Sequence, residues 1–376
     1  MRTRLQSLDA FRGLTVAAML LVNNPGSWAH IYPPLEHAAW HGWTPTDLIF
    51  PFFLFIVGIT THLAREGRRA AGASESDLRR RMWRRGLLII LAGWLLAAFP
   101  FWPLTRLTGL RLPGVLPRIG VTYIATELLT RRGTLRRQVL VVVGLLFGYW
   151  AAMTLLPVPG QPGLGLDHLD DPSATLAAWL DRALLDGHLW KQSRTWDPEG
   201  ILSTIPAIGT AMLGTFAGRW LATDHPLEVR VNGLFGAGAI ATGLGLMWGW
   251  SFPINKSLWT SSYALFTAGM AALVLATIVW LVDLQGRTRW ARPFLPFGVN
   301  PLLAFLGSGL MAKLMGSLVT VEIAGELVPV QAVVYRTGFA SWLAPRDASL
   351  AFAVAFVVVW WALLAPLARR GVILKA

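Results

Sequence analysis

The sequence contains no cysteine, so disulfides, thiolate nucleophiles and cysteine-based metal sites are excluded. Charge is also scarce. Only 14% of the 376 residues are charged, against about 25% in soluble domains. Acidic groups are the rarer kind, 20 Asp and Glu against 33 Lys and Arg, which leaves a net charge of +13. A soluble domain with that charge would suggest nucleic acid. Here the basic residues sit in short loops between apolar runs, and no basic helix or aromatic platform supports a nucleic-acid partner. The soluble-enzyme signatures are missing as well: there is no Walker-type phosphate loop, no H-E-x-x-H and no G-x-S-x-G. No internal repeat has a recognisable period. The first apolar stretch lacks a small-residue cleavage site, so it is expected to be a retained helix and not a signal peptide.

What the chain does have is apolar length. Hydrophobic residues make up 54% of it, and 19 Trp stand against 5 Tyr. A soluble protein of this composition could not cover its surface, whereas indole rings favour the lipid headgroup boundary. A bilayer core about 30 Å thick takes roughly 20 apolar residues as a helix. Ten such segments are predicted, near 10–29, 47–65, 84–102, 114–130, 138–156, 201–221, 233–250, 259–282, 294–316 and 348–367. The expected fold is all-α: a polytopic integral membrane helical bundle of about ten transmembrane helices. Residues 1–376 are expected to form a single transmembrane domain. If the N-terminus is cytoplasmic, 23 of the 33 Lys and Arg residues fall on that side, among them Arg2, Arg4 and Lys375. Both termini are then cytoplasmic, and the basic face is drawn to anionic lipid. Three outside segments are long enough to build something: Gly26–Thr46, Pro157–Gly200 and Ser317–Asp347.

Polar residues at membrane depth are costly and are candidates for function. In Ser7-Leu8-Asp9-Ala10-Phe11-Arg12-Gly13, Asp9 and Arg12 share a helix face. They form either a plain i,i+3 ion pair or an anchor for an anionic ligand. Asn23-Asn24-Pro25-Gly26 stops the first helix, and an amide there could also hold a substrate carbonyl. The most informative block runs from Glu36 to Pro51. It carries His37 and His41 and re-enters the membrane at Asp47, a residue suited to a helix N-terminus. Histidine titrates near neutrality and suits proton transfer. From spacing alone, inert loop histidines are the default, and a two-His metal pair lacks a third ligand. Gly114–Gly120 with Arg118, Asp197-Pro198-Glu199-Gly200, Phe252–Thr260 with Asn255, Lys256 and Trp259, and Phe297-Gly298-Val299-Asn300 each open an apolar helix. Capping and packing account for all four, although Arg118 and Asn300 should face the bundle interior.

Taken in order, S-L-D-A-F-R-G, V-N-N, the His37–Pro51 block, G-V-L-P-R-I-G, D-P-E-G, F-P-I-N-K-x-L-W-T-S and F-G-x-N resemble the heparan-α-glucosaminide N-acetyltransferase family and its bacterial homologues. The resemblance spans nearly the whole chain. It implies a membrane N-acetyltransferase that takes acetyl from cytoplasmic acetyl-CoA and gives it to an amino-sugar amine on the far side. The family's essential histidine lies in its H-A-x-W-x-G block, which here selects His37 over His41. Its asparagine at the end of helix 1 matches Asn23. Pro117 stands where the family often has Gln. The resemblance assigns catalysis to His37 and Asn23. Substrate or acetyl-CoA contacts go to Asp9, Arg12, Asp47, Arg118, Asn255, Lys256, Trp259 and Asn300. No metal is expected, a homodimer is suggested, and the location is a bacterial inner membrane. The main alternative is a transporter or permease of a small solute or glycan fragment, since broken helices with buried polar groups suit that too. A catalytically silent scaffold is the third reading.

Overall fold

Hydrocarbon offers backbone amides no partner but the chain itself, so the apolar runs should be helices. The computed structural model describes residues 5–104 and 107–373; Arg2, Arg4 and Lys375 of the orientation count lie outside them. Thirteen α-helices occur among the described residues. They are α1 (Gln6–Asn23), α2 (Ile49–Ala70), α3 (Glu75–Ala98), α4 (Val115–Thr130), α5 (Leu135–Leu155), α6 (Leu176–Leu185) and α7 (Thr204–Leu221), then α8 (Leu227–Trp248), α9 (Ser261–Val279), α10 (Leu295–Val299), α11 (Pro301–Lys313), α12 (Val330–Tyr335) and α13 (Pro345–Arg369). One antiparallel hairpin, β1 (Thr320–Ile323) with β2 (Glu326–Pro329), adds a little strand to the expected all-helical fold.

Each of the ten predicted segments is largely helical. Six stretches among the described residues are long and apolar enough to cross a membrane: Pro45–Ala70, Leu135–Leu155, Leu227–Trp248, Ser261–Leu284, Pro301–Leu318 and Pro345–Arg369. The chain is a polytopic membrane protein. The other four segments are shorter or more charged. Helices α1 and α7 have 18 residues each, α4 has 16, and α3 opens on a run of arginines. Helix α1 stops at Asn23 and not near residue 29, because Pro25 and Gly26 follow. The segment predicted at 294–316 is broken at Asn300, where Pro301 begins a new helix. Helices α6 and α12 and the hairpin fall in two of the long segments between apolar runs, 157–200 and 317–347, which show no apolar period.

Contacts divide the chain into two units. The first comprises Met1–His37, Thr44–Ile49 and Ile278–Ala376. Here α1 packs on α10, α11 and α13. The start of α1 is capped from far along the chain, since Asp283 accepts hydrogen bonds from the amides of Gln6 (3.1 Å) and Ser7 (3.3 Å). A carboxylate suits the positive end of a helix. The α1–α10 crossing is backbone against backbone. A Cβ on Gly13 would lie 1.9 Å from the Phe294 carbonyl oxygen, and one on Gly298 would lie 2.0 Å from that of Asp9. Small residues permit such approaches where lipid supplies no hydrophobic drive.

The second unit comprises Ala38–Trp43 and Phe50–Thr277. Helices α3 and α4 form a tight hairpin, and α4 and α5 both pack on α7. Tyr149, Met153, Leu169, Ala177, Phe252 and Leu258 form a buried cluster that joins α5 and α6 to the loops before α6 and α9. The Tyr149 hydroxyl within it donates to the Leu258 carbonyl at 2.5 Å.

The two facing glycines generate a prediction. Gly13→Ala and Gly298→Ala should each destabilise the purified protein by about 1–3 kcal/mol through overpacking. Thermal unfolding in detergent reads this as a lowered Tm, and an unchanged Tm for both variants would contradict the close crossing.

Candidate active site

In the first unit, the loop that leaves α1 is tied down at several points. Asn24 is buried, and its side chain donates to the Leu20 carbonyl (2.8 Å), which closes the helix. The capping role falls to Asn24, and the Asn23 side chain is exposed. Gly26 and Ser27 then bond to Ser349 of α13. Further along, Thr46 Oγ1 donates to the Pro34 carbonyl (3.2 Å) and Thr44 Oγ1 to that of Glu36 (2.6 Å). These two bonds grip the chain immediately before His37.

His37 Nδ1 lies 2.7 Å from Asp47 Oδ1. A carboxylate only accepts, so Nδ1 carries the proton and the basic lone pair is on Nε2. The two ends of this bond differ sharply in environment. The His37 side chain is 50% exposed, whereas that of Asp47 is 1% exposed. Asp47 Oδ2 accepts the Thr44 amide (3.0 Å), so the carboxylate also serves the helical turn Pro45–Leu48. The arrangement is a half-exposed imidazole held by a buried carboxylate, which is the base-and-orienter pairing of acyl-transfer sites.

The remaining predicted residues of this unit hold helices together. Arg12 Nη2 donates to Asp9 Oδ1 (2.7 Å), as the i,i+3 spacing suggested, and Arg12 Nε donates to the Gly298 carbonyl. Asn300 is 1% exposed and donates to the Val372 carbonyl (3.0 Å).

In the second unit, Arg118 is 2% exposed on α4. Its Nη2 donates to the Gly200 carbonyl (3.2 Å) and to Ser203 Oγ, and its guanidinium lies 5.2 Å from the Trp259 ring centre. Arg118 Nε and Nη1 are buried with no hydrogen-bond partner among the described residues. Such donors are costly to leave unmet and mark a place for an acceptor. Trp259 is fixed by Nε1 donating to Thr210 Oγ1 (3.1 Å). Four residues earlier, Asn255 Oδ1 accepts the Leu258 amide (2.8 Å) and its Nδ2 donates to His41 Nδ1 (3.3 Å). His41 Nε2–H then donates to Asp170 (2.9 Å). Both nitrogens of His41 are therefore committed, which suits a positioning residue better than a base. Lys256 lies in the same turn, its carbonyl accepting the Trp259 amide (3.0 Å).

Sequence reasoning gave the D-P-E-G motif capping and packing roles and no named partner. In the structure Arg111 Nε donates to Asp197 Oδ2 (2.8 Å), and Arg111 Nη2 donates to Glu199 Oε2 (2.5 Å). Next to it, the Ile201 amide donates to the buried Asp181 (2.9 Å). Gly200 has no room for a side chain, since a Cβ would lie 2.1 Å from Asp181 Oδ2. Nothing in the local sequence around Arg111 or Asp181 announces these partners, because each contact spans a long loop.

Residues 4–247 match the family model described as "Heparan-alpha-glucosaminide N-acetyltransferase, catalytic". The chain is 32% identical over 354 residues to the Homo sapiens protein named Heparan-alpha-glucosaminide N-acetyltransferase, covering 81% of this chain and 52% of that protein. The Mus musculus protein of the same name is 31% identical over 358 residues, covering 81% and 53%. The chain thus spans about half the length of the curated relatives it matches. The matched model takes in Asp9, Arg12, Asn23, His37, Asp47 and Arg118, and stops short of Asn255, Lys256, Trp259 and Asn300.

Burial pushes the Asp181 carboxyl up to about 6, and the charge of Asp197 adds to the rise. The folded protein therefore holds a proton that the unfolded chain releases near pH 4. Stability should fall as pH rises from about 4 through about 6, by up to about 3 kcal/mol. Asp181→Asn should flatten melting temperature against pH in that window. A variant with the wild-type slope would contradict the assignment.

Proposed function

This chain belongs to the heparan-alpha-glucosaminide N-acetyltransferase family, and from that premise we propose that it is an acyl-CoA-dependent transmembrane N-acetyltransferase. It moves acetyl from cytoplasmic acetyl-CoA to the amino group of an amino sugar, a terminal glucosamine-type glycan, on the extracytoplasmic side. Residues 1–376 act together as one acyltransferase domain, with all ten apolar segments crossing a bacterial inner membrane and both termini in the cytoplasm. The observation that carries the reading is His37 held at Nδ1 by the buried Asp47.

The chemistry needs such a pair. An amine attacks a thioester only when neutral, and an amino group with a pKa near 7.7–8.0 is mostly protonated at pH 7. His37 Nε2 takes the proton as the C–N bond forms, and Asp47 stabilises the resulting imidazolium. The C–S bond then breaks and the CoA thiolate leaves, taking up the proton that the His37 imidazolium gives back. An acetyl-histidine route uses the same Nε2 as nucleophile. In either route the tautomer is set by Asp47. That assigns Asp47 to orienting the base and leaves Asn23 to stabilise the developing oxyanion. The unmet donors of Arg118 support contact with an acceptor group on a substrate, above the ring of Trp259. Asp9, Arg12 and Asn300 frame the donor path through the helices they hold, and Asn255 and Lys256 line the turn that carries Trp259.

The test is transfer of labelled acetyl from acetyl-CoA to glucosamine by purified protein. His37→Ala should lower kcat by roughly 10²–10⁴-fold while remaining folded. His41→Ala should stay within about tenfold of wild type, because both His41 nitrogens are already engaged. If wild type neither transfers acetyl nor binds acetyl-CoA, the enzyme reading fails and a transporter takes its place.

A further inference from the structure

The second unit holds a charged recess that the acetyl-transfer reading does not use. Eight arginines and three carboxylates lie between residues 65 and 85. Where α2 turns into α3 beside the end of α4, some of them line a shallow, open recess. Its floor is built. Arg65 is 3% exposed and donates to Glu127 (2.8 Å), Thr130 Oγ1 (3.0 Å) and His62 Nδ1 (3.3 Å). One rim is also built, since Arg131 and Arg69 both donate to Glu75, at 2.9 Å each. These pairs consume the two carboxylates of the lining. Arg68, Arg79 and Arg81 line the same recess without an ion pair or hydrogen bond among the described residues. Guanidinium groups suit the oxygens of a phosphate, which they bind in fork geometry.

The surface below the recess narrows the source of that phosphate. Arg79, Trp83, Leu87, Leu91 and Leu95 are four residues apart on α3 and so form one ridge along its surface. The ridge is open: Trp83 is 43% exposed, Leu87 54%, Leu91 48% and Leu95 50%. From Trp83 to Leu95 it runs about 18 Å, close to one leaflet of a core about 30 Å thick. An arginine, then an interfacial tryptophan, then leucines is the polarity order of a phospholipid from headgroup to chain. We propose that this recess is a binding site for an anionic phospholipid, with the phosphate among Arg68, Arg79 and Arg81 and an acyl chain along the Trp83–Leu95 ridge. The site fixes one lipid at the Arg-rich side of the membrane and is independent of the acetyl-transfer chemistry.

The experiment is native mass spectrometry of the detergent-purified full chain, titrated with dioleoyl-phosphatidylglycerol or dioleoyl-phosphatidylcholine. Wild type should bind the anionic lipid at least about tenfold more tightly. A basic side chain near a lipid surface contributes about fivefold, so Arg68→Gln/Arg79→Gln/Arg81→Gln together should weaken phosphatidylglycerol about a hundredfold and leave phosphatidylcholine unchanged. If the triple variant does not fold, each single variant is measured, with about a fivefold loss expected. Leu87→Ser/Leu91→Ser should weaken the dioleoyl lipid and spare a dihexanoyl one. An equal preference in wild type and variants would overturn the site. So would displacement of the lipid by coenzyme A together with loss of coenzyme A binding in the triple variant, since the recess would then serve a soluble phosphate.

Discussion

A carboxylate cannot be kept at 1% exposure without groups that repay its lost hydration, and Asp47 is such a carboxylate. Its partners, the imidazole of His37 and the amide of Thr44, are brought to it by the loop after α1. The same loop is clamped through Thr44 and Thr46 to carbonyls just before His37, and through Gly26 and Ser27 to Ser349. Removing His37 leaves a buried charge short of a partner, and removing Asp47 leaves an imidazole with no fixed tautomer. The bond therefore links the local fold of the loop to its chemistry.

A second constraint is that polar side chains near hydrocarbon must be answered by protein. Helix α1 meets it with distant groups: Asp283 at its first amides, and Arg12 reaching the Gly298 carbonyl. The reach of Arg12 depends on the approach that Gly13 and Gly298 allow. The glycines of S-L-D-A-F-R-G and F-G-x-N are thus two halves of one crossing. In the second unit, D-P-E-G supplies a different answer. Asp197 and Glu199 hold Arg111, and the Gly200 carbonyl takes one donor of Arg118. The other buried donors of Arg118 remain open to a ligand.

Much of the fold was legible because hydrophobic length has a single physical meaning in a bilayer. All ten apolar segments are largely helical, and the Asp9–Arg12 pair follows from helical spacing. The preference for His37 came only from resemblance, since spacing alone leaves it equivalent to His41. The structure separates the two by partner: His37 bonds one buried carboxylate through Nδ1, whereas His41 spends Nδ1 on Asn255 and Nε2 on Asp170. What sequence missed lies in the segments between the apolar runs. Helix α6, the β1–β2 hairpin, the Arg111 cluster and the buried Asp181 depend on contacts across many residues, for which no period exists to be read.

In the proposed mechanism, Asp47 sets the tautomer of His37. Asparagine at 47 can donate to Nδ1, which would move the imidazole proton to Nε2 and remove the base. The most direct measurement is kcat for acetyl transfer by folded Asp47→Asn, alongside its Kd for acetyl-CoA. The expected result is a fall in kcat of roughly 10³–10⁴-fold with little change in Kd. A variant that keeps kcat within about threefold of wild type would contradict it, because a tautomer-setting orienter cannot be lost so cheaply.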